Sequence, residues 1–191
     1  MSNIAGWRAA LTASAFLSAA VPGLPAHADP AAQTLDIAAF EQLKSLAGRW
    51  EGRIDDAEHK LAAVEYEVTS NGRTVIERQF PGTGHEMVTV YYLAYDRLQA
   101  THYCAMGNQP AYKLASASTP LNIVMEAAGG TGFDPERDHR ANGERIEIVS
   151  PSEIRVEFQF RTGNEPPTSA RLLLSRVPAR SPEPVPPPAK P

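Results

Sequence analysis

The polar and apolar residues follow two periods. In "DIAAFEQLKSLA", residues 36–47, Ile37, Phe40, Leu43 and Leu46 recur every three or four positions. That spacing predicts one short amphipathic helix, with Gly48 placed to take the left-handed conformation that ends it. After Gly48 the period falls to two. Runs at 49–54, 61–70, 73–80, 85–93, 97–105, 111–117, 121–127, 144–149, 154–161 and 168–177 alternate apolar with polar positions and are separated mostly by short turn segments. Asn71-Gly72 is a two-residue hairpin signal. About ten strands with no second helix make parallel crossovers improbable. An antiparallel sheet of that length hides its edges by closing. The expected fold is all-β, a closed up-and-down antiparallel barrel behind one short N-terminal helix, with a two-sheet sandwich as the rival.

The hairpin around "AYDR" fixes which side chains share a face. With Leu93 opposite Leu98, Tyr91 faces Ala100, Thr89 faces His102, Met87 faces Cys104 and His85 faces Met106. Leu98, Ala100, His102, Cys104 and Met106 then lie on the more apolar side, so His85, Met87, His102 and Cys104 are all expected inside the barrel.

The ends of the chain have another character. Residues 1–28 contain Arg8, an apolar run over 9–21, Pro22, Gly23 and Pro25, and then Ala26-His27-Ala28. This is the pattern of a secretory leader cleaved after Ala28. The run is too short to serve as an integral membrane segment, which needs about twenty residues. Residues 178–191, "PARSPEPVPPPAKP", hold seven prolines and predict an extended, disordered tail. One domain, residues 29–177, lies between. Without the leader, 17 basic residues face 22 acidic ones, which argues against nucleic acid or an anionic membrane as partner. In a secreted or periplasmic setting the single cysteine, Cys104, has no internal disulfide partner.

Gly48-Arg49-Trp50 sits where helix gives way to strand, and Arg176 ends "ARLLLSR". A tryptophan at the start of the first strand can plug one end of a barrel, with a late arginine over its ring. These residues resemble the lipocalin and fatty-acid-binding superfamily, whose members open with a short helix, G-x-W and the first strand. "GRWEGRI" is also similar to the G-x-W-x-G-x-G opening of nitrobindin-like haem barrels. Gly48, Trp50 and Gly52 match and Ile54 replaces the third glycine. That family holds haem iron through a histidine in a late strand, which "EIRVEFQFR" and "TSARLLLSRV" lack, so no cofactor is expected. "LAGRWEG", "EMVTVY", "THYCAMGNQP" and "GGTGFDPERDH" resemble uncharacterised secreted bacterial proteins of the DUF1579-like, lipocalin-like kind, a resemblance that implies the fold and no reaction.

The favoured function is interior binding of a small, largely apolar or amphipathic molecule. Trp50 and Arg176 would close one end, His85, Met87, Tyr91, His102 and Cys104 would line the cavity, and Asn108 and Gln109 would form a polar rim. The alternative is a soft-metal or thiol site on His85, His102 and Cys104, since imidazole, thiolate and thioether suit copper(I). The nitrobindin resemblance keeps a haem-binding barrel as a second alternative, and a barrel filled by its own side chains is a further reading. His139, among Asp134, Glu136, Arg137, Asp138 and Arg140, reads as a solvated loop, and residues 129–132 read as a flexible turn.

Overall fold

A computed structural model of the chain describes residues 30–55 and 61–178. The expected leader and the tail beyond Pro178 lie outside the described residues. Helix α1 spans Pro30–Ser45, and the ten strands are β1 Gly48–Ile54, β2 Leu61–Thr69, β3 Thr74–Gln79, β4 Met87–Ala94, β5 Arg97–Tyr103, β6 Gln109–Leu114, β7 Asn122–Thr131, β8 His139–Ser150, β9 Glu153–Thr162 and β10 Thr168–Arg176. Each strand pairs antiparallel with its neighbours in sequence, and β1 pairs with β10 to close the barrel. Among the described residues no sheet edge is left open, which answers the barrel-or-sandwich question in favour of the barrel.

Helix α1 packs against β5, β4 and β2. Ala39, Phe40, Leu43 and Leu46 are buried, but Ile37 is 40% exposed and Asp36 is buried in its place. The reason is polar. The Asp36 carboxylate accepts the Leu98 backbone N–H at 2.5 Å and the Arg97 guanidinium at 3.2 Å, which turns Asp36 to the barrel and Ile37 outward.

The turns 70–73, 95–96, 115–121 and 151–152 lie at the α1 end. The connections 80–86, 104–108, 132–138 and 163–167 lie at the far end. At the α1 end Trp50 is fully buried and donates its indole N–H to the Leu46 carbonyl at 2.8 Å. Arg176 lies 4.2 Å from the centre of the Trp50 ring. Its guanidinium donates to the carbonyls of Ser45, Ala47 and Pro151, supplying partners that the last turn of a helix lacks. The expected plug is present.

Three local expectations change. The β2–β3 connection is a four-residue loop with positive φ at Ser70, Asn71 and Gly72, so Asn71-Gly72 is not a two-residue turn. Residues 129–131 belong to β7. His139 belongs to β8, which begins five residues earlier than its apolar alternation suggested. A register shift between Ala141 and Gly143 hides that earlier start. The extra residue of a bulge breaks the two-residue period, and Gly143, at φ 154° and with a Cβ position 2.6 Å from the Met125 carbonyl oxygen, is the residue that permits it.

Candidate functional site

Successive inward positions on β4 and β5 give a scale of depth. Leu93 and Leu98 lie under α1, then come Tyr91 with Ala100, and Thr89 with His102, and Met87 is nearest the far end. On β3 the inward residues are Val75, Glu77 and Gln79. On β8 the bulge turns both Ala141 and Glu144 inward, with Ile146 beyond them. The middle of the barrel is therefore polar. Glu77, Gln79, Thr89, His102 and Glu144 are each at most 3% exposed.

These groups form a connected network. The Tyr91 hydroxyl contacts Glu77 Oε2 at 2.6 Å and Glu144 Oε2 at 2.5 Å. Neither carboxyl has a Lys or Arg among its hydrogen-bond or ion-pair partners in the described residues. Burial raises the pKa of both above the ordinary carboxylate range, and for Glu144 the neighbouring Glu77 charge raises it further. Tyr91 has one proton for these two contacts, so one of the two carboxyls supplies the proton of the other hydrogen bond. Burial also holds the Tyr91 phenol well above its usual pKa.

Gln79 Nε2 donates to Glu77 Oε1 and to Thr89 Oγ1, both at 3.4 Å. The Thr89 hydroxyl lies 2.9 Å from His102 Nδ1. Thr89 accepts from Gln79, and its hydroxyl donates to His102 Nδ1 or accepts from it according to the ring tautomer. Desolvation lowers the His102 pKa to about 4, so the ring is neutral at pH 7. It stacks on Tyr112 with centroids 6.1 Å apart.

A cavity of about 10 Å³ lies against this network, between Gln79, His102 and Glu144 on one side and Met87, Phe158 and Phe160 on the other. That is room for about one water-sized group. His102 Nε2, Gln79 Oε1 and Glu144 Oε1 are all buried and lack a hydrogen-bond partner. Buried polar atoms without partners are rare and costly, and here three of them belong to residues lining one cavity. The larger groove of about 430 Å³ beside Trp50 and Arg176 has no such feature, since the Arg176 guanidinium is bonded to three carbonyls.

The expected site residues divide accordingly. His102 and Met87 line the cavity, and Tyr91 lies deeper, bridging the two acids. Trp50 and Arg176 are at the opposite end of the barrel. Cys104 is buried with its thiol 3.9 Å from Met87 Sδ, in a turn closed by Gly107 N–H donating to the Cys104 carbonyl. Asn108 is buried and donates to the His139 carbonyl at 3.1 Å. Gln109 holds the rim by donating to the Gly107 carbonyl and accepting from Thr131.

His85 is exposed, contrary to its expected place inside, and Met106 is 50% exposed. The β4–β5 ladder stops at Val88 and Tyr103, so parity no longer applies two residues later. His85, His102 and Cys104 are not brought together. Among the described residues no three His, Cys, Asp or Glu side chains gather in a metal-binding group.

Gln79, Glu77 and Glu144 are the members that the sequence reading missed. Their signal was parity: Glu77 and Gln79 alternate with Val75, and Glu144 alternates with Ile146 and Ile148.

No protein-family model matches the chain, and a search of curated proteins finds no relative. Among solved structures, the crystal structure of Rv2717c from M. tuberculosis is similar, with a TM-score of 0.53 and 18% identity over 73% of this chain and 98% of that one. At that identity the likeness concerns the fold alone. No helix among the described residues is long and apolar enough to cross a membrane.

Proposed function

We propose that this protein binds a small, largely apolar molecule inside its barrel, taking it in from the end opposite α1. A polar end of the ligand would approach His102, Gln79 and Glu144 only as the wall of Met87, Phe158 and Phe160 gives way, since the cavity as it stands has room for about one water-sized group. The observation that carries this reading is that three buried, unpartnered polar atoms belong to residues lining one interior cavity. Such atoms are costly unless something bonds to them. Met87 and Phe160 are only partly buried and lie on the far-end side of the cavity. The thioether of Met87 is unbranched and adaptable, which suits a wall that must give way.

We also place the protein outside the cytoplasm, as a secreted or periplasmic member of the DUF1579-like set. The leader-like residues 1–28, the solitary Cys104 and the quoted "LAGRWEG" and "THYCAMGNQP" segments support that placement.

Native mass spectrometry of the protein purified from its own host tests the binding reading. The expected spectrum contains a non-covalent adduct of one small molecule, which is lost when Gln79 and His102 are both replaced by leucine. Repeated spectra of the bare chain alone count against the reading.

A further inference from the structure

We infer that the groove beside Trp50 and Arg176, at the plugged end of the barrel, is the dock of the chain's own proline-rich tail, residues 179–191. The groove measures about 430 Å³. Gln42 and Leu46 line it from the α1 side, and Leu121 with residues 148–151 lines it from the other. The Arg176 guanidinium bridges the two, bonded to the Ser45 and Ala47 carbonyls and to the Pro151 carbonyl. Its nitrogens are thereby used, and what the groove offers is apolar contact. Leu121 and Val149, 55% and 42% exposed, are two of the few large apolar side chains left in solvent.

The occupant follows from where the chain leaves the barrel. β10 ends at Arg176, itself in the groove lining, and the Val177 N–H still bonds the Arg49 carbonyl at 2.8 Å. The tail therefore starts at the groove's rim. The other end of the chain enters at Pro30, the far end of α1, roughly 22 Å of helix away from Ser45. From β10 to the start of β7 is three strand-to-strand steps, about 14 Å. Residues 178–185 span about 25 Å as a straight polyproline helix, so they reach Leu121 with slack at Ala179-Arg180-Ser181. Val185, the one large aliphatic side chain of the tail, then meets Leu121 and Val149.

A proline-rich segment is already close to one extended conformation, so ordering it costs little. Its carbonyls are acceptors for the Gln42 amide. Tethering raises its local concentration to about the millimolar range, which lets a small apolar contact suffice. A second copy of the chain is a poorer occupant, because a stable dimer buries about 800 Å² from each partner and two half-exposed aliphatic side chains supply little of that.

Methyl NMR of the purified protein tests the dock. Val185→Asp changes no residue of the barrel, yet it is expected to shift the Leu121, Ile148 and Val149 methyl signals. Reciprocally, Leu121→Asp, at an exposed position, is expected to move the Val185 methyl signals to where they stand in a free peptide of residues 179–191. Groove signals that Val185→Asp leaves in place overturn the proposal, as do Val185 signals that already match the free peptide in the unaltered chain. Dilution separates the two occupants. Shifts unchanged on tenfold dilution support the intrachain dock, and shifts that vanish belong to a contact between copies and overturn it.

Discussion

Two residues at the centre of the barrel pull the pH dependence of stability in opposite directions. Glu144 has a folded pKa raised above the unfolded value of about 4.3. Its contribution is fully present below that pH and is lost as pH rises, by about 1.4 kcal/mol per pH unit while the folded chain holds a proton that the unfolded chain has released. His102 behaves conversely. Its folded pKa is lowered to about 4 from the ordinary 6.5, so its contribution is present above 6.5 and is lost between 6.5 and 4, about 3 kcal/mol in all. Where the two ranges overlap the slopes oppose each other. Denaturant titrations should therefore show that Glu144→Gln loses stability on acidification from 6.5 to 4 relative to wild type. His102→Gln should lose stability steadily as pH rises from 4.3. If both variants parallel wild type, the protonation states assigned to the network are wrong.

At the scale of elements, α1 is held by a buried hydrogen bond as well as by apolar packing. Asp36→Ala leaves the Leu98 N–H buried without its acceptor, a loss of about 2–4 kcal/mol. Arg97→Ala removes only the half-exposed partner and should cost under about 1 kcal/mol. Urea unfolding of the two variants checks the contrast, and equal losses would contradict the role given to Leu98.

The helix, the ten strands and the Tyr91–Ala100 and Thr89–His102 register were legible because a period of two needs no knowledge of partners. Strand ends were less legible. The bulge at Ala141–Gly143 shifts parity inside β8, so alternation counted from Ile146 cannot reach His139. The turn at Cys104 likewise ends the ladder before His85 can be carried inward. Asp36 was hidden for another reason, since its burial depends on a backbone N–H 62 residues away. Glu77 and Glu144 had the inward parity, but charge suggested solvent until the barrel showed them sharing Tyr91.

For the molecule as a whole, the two ends of the barrel have different tasks. The α1 end is closed by Trp50 and Arg176, and its guanidinium is committed to three carbonyls. Closure of β1 on β10 depends on close approach, since a Cβ at Gly52 would meet the Leu173 carbonyl oxygen at 1.9 Å. The cavity lies toward the far end, with the partly buried Met87 and Phe160 in its lining. A plugged end and a far end lined by partly buried side chains suit the proposed container, which would admit a guest from one side.

The most direct measurement is a high-resolution crystal structure of the protein purified from its own host, with density examined between His102 Nε2, Gln79 Oε1 and Glu144 Oε1. Continuous non-protein density bonded to all three and running past Met87 and Phe160 is the expected result. A dry chamber, or a lone water with nothing beyond it, would contradict the binding role and make this barrel a filled one.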